Sequence, residues 1–336
     1  MDPCSQAVLG ASLSSSFAEK KNIKFASFFG AVGGLFPDSD IFIRSAVDPL
    51  LSVEYHRNFT HSLFFAPVGG LLVTIFWYFF FKEKIPLSKI FIFSFLGVLT
   101  HGFLDSCTSY GTSLLWPFSD TRISWNIISI IDPIFTSVLI ISIISALIYK
   151  SKYVARIGLF MAMLYLVFGV FQYKQVENFI FKIAEQRNHN VEKILLNPTI
   201  GNNILWRTLY KSNGKYYIGA VHMPAFSDSN FKNGEVIDVI DENTIFPELG
   251  IDSVQRIDIK RFSHFSQGFI YLHPKYNNVI ADLRYGTLPY DSNSLWGIEI
   301  DLDNENNHVK FKNLRNFNDD HYDEFWSLLN GDFENM

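Results

Sequence analysis

Long apolar runs fill the first half of the chain, and after Tyr173 they give way to alternating and charged sequence. Residues 63–81 and 153–173 approach the ~20 apolar residues that a hydrocarbon core demands of a helix. Residues 90–104 and 134–149, the latter behind Asp132-Pro133, read as two more such helices. Residues 6–18 and 25–36 are shorter and rich in small side chains (Ala7, Gly10, Ala11, Gly30, Ala31, Gly33, Gly34), which let helices approach closely in a bundle. They predict short or half-buried helices, with a re-entrant or interfacial pair as the alternative. Residues 175–196 have an amphipathic helical pattern stopped by Asn197-Pro198. Beyond it, residues 205–210 and 216–222 flank Ser212-Asn213-Gly214, a hairpin signal. Further strands are predicted at 234–240, 268–272, 279–283, 295–302 and 309–311, and a short helix at 320–329. The fold class is therefore an α-helical membrane bundle of four to six segments followed by a small, mainly antiparallel β domain of soluble texture. The division predicted is 1–173 for the membrane part, 174–198 for a linker helix and 199–336 for the β-rich part.

Charge assigns sides to these segments. If all six cross in alternation, Lys20, Lys21, Lys24, Lys82, Lys84, Lys89, Lys150, Lys152 and Arg156 fall in the turns of one face. Only Arg44, Arg57 and Arg122 lie in the loops of the other. The positive-inside rule then makes the lysine turns cytoplasmic and the opposite loops and β domain extracytoplasmic. The start of the chain does not read as a cleavable signal, because Asp2 comes early and residues 12–16 interrupt the apolar run. The net charge of −5, with no basic block, excludes a nucleic-acid footprint. Two cysteines, Cys4 and Cys107, make no disulfide framework and read as free thiols, although one bridge is possible outside the cytoplasm.

On the extracytoplasmic side the apolar runs begin or end in three groups of hard ligands: Asp38 and Asp40 behind Pro37, His56 and His61 around Arg57 and Thr60, and His101 with Asp105. Ionisable groups at a bilayer edge are costly unless paired, and imidazole mixed with carboxylate suits Zn, Mn or Fe. Each group alone also has a plainer reading. His101 and Asp105, four apart on one helix face, could be a structural hydrogen bond. Pro-Asp-Ser-Asp could be a solvated turn. Arg57 could grip an anionic substrate or pair with Asp38 or Glu54. Arg122, with Asn126, could hold substrate oxygens or pin its loop. Asp132 before Pro133 reads as a helix cap, not a ligand.

Several motifs together resemble the YdjM-like family of inner-membrane, metal-dependent hydrolases. They are Gln6-Ala7-Val8-Leu9-Gly10, Leu35-Phe36-Pro37-Asp38-Ser39-Asp40, His56-Arg57 with Thr60-His61-Ser62, Thr100-His101 with Leu104-Asp105, Tyr110-Gly111-Thr112, Pro117-Phe118-Ser119-Asp120 and Ser129-Ile130-Ile131-Asp132-Pro133. The resemblance spans nearly the whole membrane half. It implies a zinc-type site at the Asp, His and His-x-x-x-Asp positions. Other branches carry His near the position of Gln6, which leaves the ligand count open. The metal ligands expected are Asp38, Asp40, His56, His61, His101 and Asp105, with Asp38, Arg57 and Arg122 as reacting or charge-neutralising groups. The expected function is hydrolysis of an ester or phosphoester, in a lipid or envelope substrate, through a metal-activated water. The alternatives are a non-catalytic membrane protein with a structural metal or Asp–His network and a partner-binding β domain, and, ranked last, a transporter.

Overall fold

The structure is a computed structural model that describes residues 1–333 and divides into two compact units. The first comprises Met1–Phe42, Tyr55–Phe171 and Ile200–Asn202; the second comprises Ile43–Glu54, Gln172–Thr199 and Asn203–Met336. In the first, Pro3 opens α1 (Pro3–Ser16), and the Asp2 carboxylate caps it by accepting from the Ser5 N–H at 3.0 Å. This helix is buried along a polar face. Ser14 Oγ donates to the Phe93 carbonyl at 2.8 Å, and Ser15 and Ser27 share a hydrogen bond at 2.9 Å. Its neighbour α2 (Ile23–Leu35) packs so closely that a Cβ on Gly10 or Gly30 would run into the other's carbonyl oxygen. The small residues of both runs thus act as the sequence pattern predicts.

After the short helix α3 (Leu51–Tyr55) come α4 (Ala66–Phe81), α5 (Leu87–Ser106), α6 (Pro133–Tyr149) and α7 (Lys152–Gln186). Asp132 caps α6 from the Phe135 N–H at 3.0 Å and accepts from the Tyr165 hydroxyl at 2.7 Å, so its role is the structural one expected. Among the described residues, two helices, α5 and α7, are long and apolar enough to cross a membrane, or up to three spans if Leu51–His61 and Ala66–Phe81 form one broken crossing. With 14 residues, α1 reaches only about 21 Å, short of the ~30 Å hydrocarbon layer. Phe76, Phe79 and Phe80 on α4 and Phe160 and Val167 on α7 are each at least 60% exposed, an apolar surface suited to lipid. Both cysteines are free, Cys4 exposed and Cys107 buried.

The second unit carries two four-stranded antiparallel meanders. One is β1 (Lys193–Pro198), β2 (Leu205–Ser212), β3 (Lys215–His222) and β4 (Asn230–Asp238); the other is β5 (Ile270–Leu272), β6 (Val279–Asp282), β7 (Trp296–Glu299) and β8 (Lys310–Asn313). The hairpin between β2 and β3 turns on Asn213 and Gly214, both with positive φ, in keeping with its Asn-Gly signal. Leu195, Leu209 and Tyr216 of the first sheet share a core with Phe269, Tyr271 and Ala281 beside or in the second. Helices α8 (Val254–Phe265) and α9 (Asp319–Leu329) complete the unit.

The amphipathic helix expected over 175–196 ends earlier, at Gln186, and residues 193–198 are a strand. Val176, Ile180 and Ala184 recur every four residues and pack on Leu196, Trp206 and Val221, which explains the helical pattern. Asn188 then takes a left-handed φ of 56°, and Leu195 pairs with Leu209 across the sheet. The helix α8 was not anticipated. Its signal was Ser253, which caps it through the Arg256 N–H, ahead of Ile259, Phe262 and Phe265 on one buried stripe.

Candidate metal centre

Proline at 37 follows α2, and residues Phe36–Phe42 continue as a tight 3-10 turn that projects Asp38 and Asp40. Asp40, 2% exposed, organises the turn that carries the first histidines. One oxygen faces His56 Nδ1 at 2.9 Å. The other accepts from the Arg57 N–H at 3.1 Å and the Thr60 hydroxyl at 3.0 Å, and lies 3.2 Å from His61 Nδ1. Arg57 holds a φ of 63°, a left-handed position unusual for a side chain of its size, and its N–H bond to Asp40 helps to keep it there.

The second histidine comes from α5. His101 Nδ1 lies 2.6 Å from the Gly34 carbonyl, which can only accept, so the ring proton sits on Nδ1 and Nε2 presents a lone pair. In His61 the same logic applies: Nδ1 faces Asp40 and the Thr60 oxygen, leaving Nε2 free. The two Nε2 atoms face each other at 2.9 Å. Asp38 Oδ1 is 3.4 Å from both, and Asp105 Oδ2 is 3.4 Å from His61 and 3.7 Å from His101. Four ligands placed tetrahedrally at about 2.0–2.1 Å from a zinc ion would lie roughly 3.3–3.4 Å apart. The separations of each carboxylate oxygen from the two rings, and of the rings from each other, bracket that value. Asp105 is already paired, its Oδ2 with Arg57 Nε at 3.1 Å and its Oδ1 with the Met1 ammonium. The two Nε2 lone pairs facing each other beside Asp38, however, repel unless a cation stands between them, either a shared proton or a metal ion. The spacing of the rings from each carboxylate fits the ion.

Exposure is graded across the set. His61, His101 and Asp105 are at most 1% exposed, whereas the Asp38 side chain is 26% and the His56 side chain 36% exposed. Burial works to raise the pKa of Asp38, but positive charge on His101 and His61, present when a proton is shared between the rings, outweighs it and holds the carboxyl well below the usual range. Asp40 is held down likewise by His56 and His61 against its own burial. Among the described residues, Asp38, His56 and His61 form one grouping able to hold an ion, and His61, His101 and Asp105 another.

The six expected ligands thus occupy different layers. Asp38 turns toward the Nε2 side of both histidines, while Asp40 stands behind them at Nδ1 and His56 hangs from Asp40. Arg57 pairs with neither Asp38 nor Glu54. Its Nε is 3.1 Å from Asp105 Oδ2, its Nη1 donates to Thr108 at 2.9 Å, and its guanidinium lies over Tyr110. Arg122 donates to the carbonyls of His56 and Gly111, each at 3.1 Å, which pins the loop. Sequence reasoning named Gln6 only as a difference from other branches; here its amide donates to Asp105 Oδ1 at 2.9 Å. The Gly34 carbonyl has no side-chain signal at all. A cavity of about 410 Å³ lined by Leu9, Leu99, Phe103, Phe135 and Leu166 lies elsewhere. Leu99 and Phe103 are two positions from His101, about 200° around α5, and so line its opposite face.

Carboxylates behind metal-bound imidazoles typically govern affinity by 10–100-fold. Asp40→Asn is therefore expected to weaken zinc binding by about that factor while the protein stays folded, as measured by chelator competition on the detergent-solubilised chain. Unchanged affinity would remove Asp40 from the centre.

Apolar helices with lipid-suited faces and a His/Asp grouping able to hold a cation define a membrane protein with a candidate metal site. Residues 1–176 match the YdjM inner membrane protein family, and the chain belongs to it. It is similar to the inner membrane protein YbcI of Escherichia coli (strain K12), at 34% identity over 110 residues, covering 31% of this chain and 61% of that protein. It is also similar to the uncharacterized protein YfhP of Bacillus subtilis (strain 168), at 24% identity over 194 residues and 56% of each chain. These matches span less than two thirds of either relative. No solved structure matches the chain.

Proposed function

We propose that the chain is a multi-pass inner-membrane, metal-dependent hydrolase acting on an ester or phosphoester of a lipid or envelope substrate. The observation that carries this reading is the approach of His101 Nε2, Asp38 Oδ1 and Asp105 Oδ2 to within 3.4 Å of His61 Nε2. These four residues would hold zinc, with manganese or iron as the other candidates. When bound, the ion supplies Lewis acidity toward a scissile oxygen and lowers the pKa of water. Asp40 keeps the His61 Nδ1 proton in place and so aims the Nε2 lone pair. His56, tethered to Asp40, stands at the exposed edge, and Asp38, the most exposed of the four donors, is the one able to exchange for an incoming group. Arg57, beside Asp105, places positive charge where a phosphoryl oxygen would gain negative charge. Arg122 holds the His56 turn in register. Residues 1–173 would carry the chemistry, with four to six crossings that put the site and residues 199–336 outside the cytoplasm, as the lysine-rich turns suggest.

One observation favours a second reading. With His61, His101, Asp38 and Asp105 all bound, four protein donors would fill the coordination of a zinc ion, as in structural sites, whereas catalytic sites keep a position open. A structural ion would leave the β-rich part to bind a partner. The full chain, loaded with Zn²⁺ or Mn²⁺ in detergent and offered phosphoesters and phospholipids, separates the two. Turnover that disappears in His101→Ala is expected. Inactivity of intact, metallated protein against the whole panel would overturn the enzymatic reading in favour of the structural one.

A further inference from the structure

The segment Ile43–Glu54 belongs to the second unit, although in the chain it joins Asp40 to His56. Residues 43–50 have no helix or strand of their own, so something else must order them. Besides the local bonds that Ser45 and Asp48 accept from the Val47, Asp48 and Leu50 N–H groups, one guanidinium of that unit reaches the segment at two points. Arg261, on α8, reaches Asp48 with two parallel bonds, Nη1 to Oδ1 at 3.2 Å and Nη2 to Oδ2 at 2.9 Å. It also donates to Glu54 Oε2 from Nε at 3.0 Å and from Nη2 at 2.6 Å. Its own position is set by the fully buried Asp258, to which Nη1 donates at 2.8 Å, and Asp258 in turn faces His308 Nδ1 at 2.9 Å. Asp48, Asp258 and His308 also form a grouping able to hold an ion, but the Arg261 cation already stands among the carboxylates.

Isolated surface ion pairs contribute little, whereas a bidentate arginine in a network of several acids is the exception. The network grips the chain at Glu54, two residues before His56, and at Asp48 in the middle of the segment. We infer that Arg261 is a positioning residue for the metal centre: through Asp48 and Glu54 it orders the stretch of chain that links the Asp38–Asp40 turn to the His56–His61 turn. The second unit would then set the affinity of the site without supplying a ligand. A ligand turn whose flank is mobile must be ordered when the ion binds, and that cost appears as weaker binding.

This inference rests on the metal-binding reading, and its test is arranged so that the two fail separately. In the full chain in detergent, Arg261→Ala is expected to raise hydrogen–deuterium exchange across residues 43–61 and to weaken Zn²⁺ binding by about tenfold, the lower end of what outer partners of ligands contribute. Arg261→Lys, which keeps the charge but loses the fork, is expected to fall between. Glu54→Gln, a mild change at the exposed end, carries the test if Arg261→Ala does not fold. Unchanged exchange at residues 43–61 in the variants, or raised exchange with unchanged Zn²⁺ affinity, overturns the inference. A wild-type chain that takes up no metal sinks the reading of the centre itself, and with it the inference. In that outcome the exchange data still report whether Arg261 orders the segment.

Discussion

His61→Ala empties the metal centre: the purified variant is expected to carry less than a tenth of the wild-type zinc by elemental analysis. The expectation comes from the position of this ring. Its Nε2 lies within 3.4 Å of Asp38, His101 and Asp105, so no other donor touches as much of the set. Its Nδ1 is also a partner of Asp40, so the change leaves that buried carboxylate with one fewer neighbour. Removing the ring leaves one imidazole and two carboxylates, one of them already paired with Arg57, a poor zinc site. Binding to the folded state stabilises it by about 2.7 kcal/mol when the free ligand is at 100 times its dissociation constant. Thermal unfolding of the wild type should therefore shift upward on adding Zn²⁺, and that of His61→Ala should not. His56→Ala gives the contrasting result. Its Nδ1 is turned to Asp40 and its ring is at the exposed edge, so the metal should remain at full stoichiometry with reduced affinity. A His61→Ala protein that keeps stoichiometric zinc would dissolve the proposed centre.

The contrast between these two histidines marks what sequence could and could not convey. That Asp38, Asp40, His56, His61, His101 and Asp105 share one neighbourhood followed from their common place at the ends of apolar runs. Which atom faces which did not. Asp38 and Asp40 are two residues apart in a 3-10 turn, and no spacing rule says which carboxylate meets Nε2 and which supports Nδ1. The answer depends on the left-handed backbone at Arg57 and on the Gly34 carbonyl, neither of which has a sequence signature. Arg57 shows the same limit: Asp38 and Glu54 were the acids expected within reach of its long side chain, and packing over Tyr110 brings it to Asp105 instead. In the second unit the turn chemistry of Asn213-Gly214 located a hairpin, since it is local. The extent of α7 and the strand at 193–198 depended on contacts with Trp206 and Leu209, which are distant in sequence. Helical periodicity up to Ala184 was real, and extending it to residue 196 ignored the partner waiting in β2.

Gly102→Ala is expected to cost about 1–3 kcal/mol of stability, the usual penalty of an overpacked methyl, and to weaken zinc binding in the same protein. Gly102 lies between His101 and Phe103 on α5, and a Cβ there would run into the carbonyl oxygen of His61. That obstacle is backbone, so it cannot swing aside as a side-chain tip can. The extra methyl must push the His61 turn away from α5. His61 and His101 are the two rings whose Nε2 atoms stand 2.9 Å apart, so a shift on the order of 1 Å at Gly102, which an overpacked methyl would force, acts directly on the ligand geometry. Gly158→Ala is the matched control. Its added Cβ would run into Ser142 Oγ and Cβ, so α6 and α7 must part there as well, and no ligand lies on either residue. Denaturant unfolding and zinc titration of both variants decide the matter. Loss of stability in both with loss of affinity in Gly102→Ala alone is the expected pattern. Equal zinc affinity in the two would mean that the close approach at Gly102 supports the helix bundle and not the metal centre.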